Sequence, residues 1–141
     1  MTIKQIQREC QKYNIHHYKI NADMSIDVRG NVNLIKSKLS KIPLLFNHVH
    51  GNFDCSVNQL TSLYGSPKVV YGSFNCYYND LTTLEYIPAF ISDDFICLDN
   101  NLKNIDYVPD HIGGDFYFEN YIPFDITQFK RNKVIDGILA S

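Results

Sequence analysis

An α+β fold is predicted by the sequence: a short parallel-β solenoid of four to five 21-residue coils, with a helix-and-hairpin cap before the coils and a helical cap after them. Three observations carry this. Phe53-Asp-Cys55-Ser-Val-Asn58-Gln-Leu60-Thr-Ser-Leu63 returns 21 residues later as Phe74-Asn-Cys76-Tyr-Tyr-Asn79-Asp-Leu81-Thr-Thr-Leu84, and again as Phe95-Ile-Cys97-Leu-Asp-Asn100-Asn-Leu102-Lys-Asn-Ile105. A fixed period in the range of about 20–30 residues marks a solenoid, in which each repeat is one coil stacked on the last. Within each repeat Phe-x-Cys alternates with period two, as in a short strand with one buried face. The segments on either side break the pattern, as the ends of a stack must, because a terminal coil has no neighbour to cover its apolar face.

The elements follow in order along one domain, residues 1–141: a first cap over 1–31, repeats over 32–118 and a second cap over 119–141. Thr2 to about Tyr13 reads as an amphipathic helix, with Thr2 at its start and Ile3, Ile6, Cys10 and Tyr13 on one face. Tyr18–Ile20 and Met24–Val28 alternate across the polar link Asn21-Ala22-Asp23, a hairpin signal. The first coil is degenerate but keeps register, since Val32, Leu34, Leu39, Ile42 and Val49 stand 21 residues before Phe53, Cys55, Leu60, Leu63 and Val70. Further coils start at Phe53, Phe74 and Phe95. A fifth begins with Phe116-Tyr-Phe118 and loses the pattern at Tyr121 and Pro123. From Asp125 the chain reads as a helix with an apolar stripe of Ile126, Phe129, Val134, Ile135, Ile138 and Leu139.

Each repeated letter has a physical reason. Phe and Cys point inward from the strand and the two Leu positions fill the coil from the other side. Asn58, Asn79 and Asn100 stand where the chain turns away, so that their amides satisfy backbone groups and stack as a ladder. Pro67, Pro88 and Pro109 suit an extended return arm and not a helix. Cys55, Cys76 and Cys97 form a linear column, which suits small buried hydrophobes and not zinc, whose ligands must converge.

Leu-x-x-Leu, Asn-x-Leu and the return-arm Pro together resemble leucine-rich repeats, nearest the short, helix-poor bacterial class. The form Gly-x-Phe-x-Cys-x-x-Asn-x-Leu-x-x-Leu-x-Gly-x-Pro, best kept from Gly51 to Pro67, is similar to repeats in small proteins of tailed bacteriophages. The apolar residue before each Phe lies four back (Val49, Val70, Ile91, Ile112), whereas the usual spacing is three. The resemblance implies a phage origin and an interaction role, in the host cytoplasm. It implies no catalytic residue.

Composition narrows the classes of function. A formal net charge of −2 argues against charge-driven binding of nucleic acid or membrane surface. No apolar run is long enough to span a bilayer and the first residues lack a secretory apolar core, so a cytoplasmic protein is expected. No cofactor or metal is expected: His48-x-His50 lacks a third ligand in sequence, and His16-His17 diverge. No Ser or Cys has a His and carboxylate arrangement, which argues against an enzyme.

The informative letters are those that fail to repeat. In Phe-x-Cys-x both x positions are expected to face outward, the first column reading Asn33, Asp54, Asn75, Ile96, Tyr117 and the second Ile35, Ser56, Tyr77, Leu98, Glu119. Asp54, Asn75, Tyr77, Ile96, Leu98, Tyr117 and Glu119 make the candidate binding surface, with Tyr77, Ile96, Leu98 and Tyr117 as its aromatic and apolar centre. The expected partner is a host protein, inhibited or modified as part of antiviral defence. Contact with a second copy or with the C-terminal segment remains open. A second candidate is the acidic set Asp93, Asp94, Asp99, Asp106, Asp110, Asp115 and Glu119. The alternatives are an oligomeric sponge for a small nucleotide or signalling molecule, served by Lys68, Lys103, Lys130 and Arg131, and a virion or assembly component.

Overall fold

The computed structural model describes residues 1–118, so the expected C-terminal helical cap and Glu119 lie outside the described residues. Helix α1, Ile3–Lys12, begins as its sequence predicts. The Thr2 hydroxyl accepts from the Gln5 backbone N–H at 3.2 Å and the Gln5 side chain takes the Thr2 N–H at 2.7 Å, a reciprocal capping box. Ile6 and Cys10 are buried, Tyr13 is half-buried, and Ile3 faces solvent, so the apolar stripe is one turn shorter than its letters suggest.

The hairpin pairs β1 (Tyr18–Ile20) with β2 (Ile26–Val28) antiparallel, Tyr18 opposite Val28 and Ile20 opposite Ile26. The turn has no Gly. Met24 takes φ +69°, while Asp23 accepts from both the Ser25 N–H and hydroxyl.

The repeats form a β-solenoid of about four coils with two parallel sheets. One sheet carries the Phe-x strands: β3 (Val32–Asn33), β5 (Phe53–Asp54), β7 (Phe74–Asn75), β9 (Phe95–Ile96) and β11 (Phe116–Tyr117), in strict order. Register advances by one period per coil, Val32 to Phe53 to Phe74 to Phe95 to Phe116. The return arm, read from the sequence as plain extended chain, is itself a sheet. Its strands are β4 (Phe46–Val49), β6 (Val69–Val70), β8 (Phe90–Ile91) and β10 (His111–Ile112), and the hairpin joins it through β2 and β4. Two residues per strand carry too little alternation to announce a sheet; the arm becomes one only because the next coil presents the same backbone groups about 4.8 Å away.

One continuous core runs through the stack. The Phe column is in ring contact throughout: Phe53 stacks on Phe74 at 5.4 Å, Phe74 meets Phe95 edge-on at 6.1 Å, and Phe95 meets Phe116 at 4.9 Å. Phe53, Phe74, Phe95, Leu60, Leu63, Leu81 and Leu84 are fully buried, each worth about 1.5–3 kcal/mol of transfer free energy. Ile6, Cys10 and Ile15 belong to the same buried cluster.

Two polar ladders hold the coils in register. In the first, Asn58, Asn79 and Asn100 are buried at the bend after the Cys. The Asn79 Oδ1 accepts the Leu60 N–H at 3.0 Å, and its Nδ2 donates to the carbonyls of Cys55 and Cys76 at 3.1 and 3.2 Å. The bend has left-handed backbone at Lys36, Val57, Tyr78 and Asp99, with φ between +51° and +56°. Such residues cost energy there, Val57 most of all as a β-branched one, and the asparagine bonds on both sides over-determine the geometry. The second ladder, at the corner between the sheets, is not legible as a motif because its letters differ. Asn31, Asn52, Ser73 and Asp94 each use a side-chain oxygen to accept the backbone N–H of the residue one coil on, at 2.8–3.2 Å. Gly51 is required at that corner, because a Cβ on it would stand 2.6 Å from the Gly30 carbonyl oxygen.

Candidate binding surface

The first outward column of the Phe-x sheet is divided by chemistry. Asn33, Asp54 and Asn75 each fold their side-chain oxygen back onto the N–H two residues on, of Ile35, Ser56 and Tyr77, at 2.9–3.0 Å. These turns tie the strand to the bend. Asp54 and Asn75 are half-buried and engaged in this way, and so serve the coil first. Ile96 and Tyr117 continue the column without such a turn to make, since neither side chain carries a suitably short acceptor.

The second column differs from the expectation that every member faces outward. Ser56 is buried, Leu98 half-buried, and Tyr77 and Ile35 exposed. A left-handed residue follows all four alike, so the backbone does not separate them; the side chain does, since Ser56 is the shortest and lies between Ile35 and Tyr77 of the neighbouring coils. Tyr77 (36% exposed) and Tyr117 (43%) flank half-buried Ile96 and Leu98, so the apolar centre consists of two tyrosine rims around a shallow aliphatic floor. Tyr77 also meets Tyr78, ring centres 6.0 Å apart. The Tyr117 hydroxyl donates to Asp115 at 3.3 Å, and the negative charge of Asp115 pushes the phenol's ionisation upward.

The acidic set does not form one face. Asp93, Asp94 and Asp115 stand at the corner between the sheets, where Asp94 is a rung of the second ladder. Asp99 is in the bend beside Asn100, and Asp106 and Asp110 are on the return arm. Among the proposed cations, Lys68 lies in a hollow with Asp23 and Tyr64, whereas Lys103 is two coils further on; Lys130 and Arg131 fall outside the described residues.

The cysteine column is chemically quiet. Cys55, Cys76 and Cys97 are fully buried, each thiol directed at the carbonyl of the next coil, of Asn75, Ile96 and Tyr117, at 3.3–3.5 Å. Burial drives the ionisation of Cys55 and Cys76 far upward, and neighbouring negative charge adds to it: Asp54 beside Cys55, the flanking thiols beside Cys76. A thiolate nucleophile has no place there.

The outer face of the return-arm sheet carries a feature that the repeat pattern conceals. His48, Val69, Phe90 and His111 occupy one cross-strand row, and His50 and Tyr71 the next. The His50 ring stacks on Tyr71 at 4.7 Å, and Phe90 stacks on His111 at 4.4 Å. His48 and His50 therefore face outward as expected, but towards Tyr71 on the next coil. His16 and His17 reach the same side, lining an open hollow with Tyr18, Lys19, Asp27, Arg29 and His50. Asp27 fastens the hairpin to the first coil: its Oδ1 accepts from the Asn21 and Asn47 amides and from the His48 N–H, at 2.9–3.2 Å. Burial opposes its charge, but these donors together outweigh burial and hold the carboxyl below its ordinary range.

Among the described residues no three His, Cys, Asp or Glu side chains assemble as a metal-ligand set, and no helix is long and apolar enough to cross a membrane. Comparison with protein-family models, curated proteins and solved structures finds no match to this chain.

Proposed function

We propose that this solenoid is a protein-binding module of the leucine-rich-repeat type, capped at its ends by the N-terminal helix and hairpin and by the C-terminal segment, and that it docks a partner protein on the outer face of its Phe-x sheet. The single observation behind this reading is the change of chemistry along one column. Asn33, Asp54 and Asn75 serve the coil, whereas Ile96 and Tyr117 sit at the same outward position with no structural bond of that kind to make. Together with Tyr77 and Leu98 they offer aromatic rims and an aliphatic floor, the composition of an interface centre. In the phage setting that the repeat form implies, the partner is a host cytoplasmic protein and its inhibition or modification counters antiviral defence.

The test is affinity purification from the host with the unaltered chain, a Tyr77→Arg/Tyr117→Arg pair, and Tyr71→Arg on the other sheet as control. All three substitutions replace exposed rings, so circular dichroism should show an intact fold. The reading expects the first pair to lose the captured protein and the control to keep it. Equal capture by all three chains would place the interface elsewhere.

A further inference from the structure

Three strands of different origin meet where the hairpin joins the first coil. His17, just before β1, lies opposite Arg29, just after β2; the Arg29 N–H donates to the His17 carbonyl at 2.8 Å. On the other side of Arg29 lies His50, just after β4, whose N–H donates to Val28 at 2.8 Å while its carbonyl accepts from Gly30 at 3.2 Å. His17, Arg29 and His50 thus form one cross-strand row, all three exposed, on strands about 4.8 Å apart. Groups capable of like charge placed directly opposite one another destabilise a sheet unless something offsets them. No carboxylate stands in this row. Asp27 is in the adjoining row opposite Lys19, and its Oδ1 accepts from Asn21, Asn47 and the His48 N–H.

We propose that the His17–Arg29–His50 row is an anion site for a phosphoryl group, either free or carried by a small phosphorylated molecule. The guanidinium supplies a planar fork that matches two phosphoryl oxygens, and the flanking imidazoles supply N–H donors from either side. His16, Tyr18, Lys19 and the Asp27 carboxylate line the rest of the same hollow. The groups facing the row are Tyr18, Lys19 and Asp27 of the hairpin, His16 before it, His48 on β4 and Tyr71 beyond β6, of which Asp27 alone is acidic.

Inorganic pyrophosphate is the probe, titrated by calorimetry into the full chain at one fixed pH. Arg29→Gln should weaken binding by at least about tenfold. Arg29→Lys and His50→Gln should each retain part of the affinity, and Lys36→Gln, on the far bend, should change nothing. A parallel titration with a nucleoside diphosphate distinguishes the sources: equal affinity marks the phosphoryl group alone, and tighter binding marks a larger ligand with the same anchor. The proposal is overturned if pyrophosphate does not bind while the nucleotide does, if neither binds, or if Lys36→Gln loses as much as Arg29→Gln. All the altered side chains are exposed, so each variant is expected to fold, and unchanged circular dichroism checks it.

Discussion

Replacing Asn58 by Ala should cost more stability than replacing Asn79, although both are the same letter of the same repeat. The difference lies in how the ladder ends. The Asn79 amide serves the Leu60 N–H and the carbonyls of Cys55 and Cys76, but the Cys55 carbonyl also accepts from Asn58 at 3.0 Å and the Cys76 carbonyl from Asn100 at 3.0 Å. Truncating Asn79 leaves one buried group without a partner, the Leu60 N–H, for about 2 kcal/mol. Asn58 is the first rung, and no asparagine precedes it, because Ser37 stands in that place. Its Oδ1 serves both Ser37 and Leu39 N–H groups at 3.0 Å, and its Nδ2 donates to the Leu34 carbonyl at 2.8 Å. Truncation there strands the Leu39 N–H and the Leu34 carbonyl in the buried bend, for about 4 kcal/mol, while the half-exposed Ser37 N–H turns to water at little cost. A gap of about 2 kcal/mol is roughly thirtyfold in the folding constant, within reach of urea titrations read by circular dichroism. Both losses are large beside the 5–15 kcal/mol typical of a domain, so Gln59→Ala, on the exposed side of the same bend, is the control, with an expected change under about 0.5 kcal/mol. Equal costs for the two asparagines, or a cost under about 1 kcal/mol for Asn58, would refute the reasoning that unpaired buried backbone groups hold this bend.

Gly65→Ala should destabilise by about 1–2 kcal/mol, since Gly65 has φ +97° and a Cβ there would lie 2.7 Å from the Leu44 carbonyl oxygen; a thermal-melting midpoint no lower than that of the parent chain would contradict this. The Cys55 and Cys76 thiols should resist alkylation in the folded state and react only on unfolding, as counted by mass spectrometry. Because burial raises both thiols above their ordinary value of 9.0, their contribution to stability is complete below about pH 9 and is lost as the pH rises beyond it. There the unfolded chain releases thiol protons that the native chain keeps, so each thiol removes up to about 1.4 kcal/mol per pH unit. Urea midpoints that do not fall between pH 9 and about 10.5, where Cys→Ala variants supply the reference, would speak against it.

How much of this could be read from letters depends on which neighbours a residue has. Phe53, Phe74 and Phe95 touch one another, and so do the bonds of Asn58, Asn79 and Asn100; stacking at one period places like letters together. The 21-residue repeat therefore stated the solenoid, the core columns and the asparagine struts directly. It stated them less well where function is expected. Asp54, Asn75 and Tyr77 look equivalent as outward letters, yet the first two are bound into turns, and Ser56 is buried whereas Ile35 and Tyr77, at the same place in neighbouring coils, are exposed. The corner ladder is not legible in the letters because Asn31, Asn52, Ser73 and Asp94 share an oxygen acceptor but not a residue type.

By itself the sequence determined the coil, its period and its inward-facing residues, because each repeat carries its own copy of the contacts it makes with the next. Tertiary structure alone decided the second sheet, the division of the outward columns between struts and apolar or aromatic positions, and the row of His17, Arg29 and His50. Those depend on backbone hydrogen bonds between two-residue strands, and on a hairpin meeting a coil with which it shares no period, so no spacing along the chain records them.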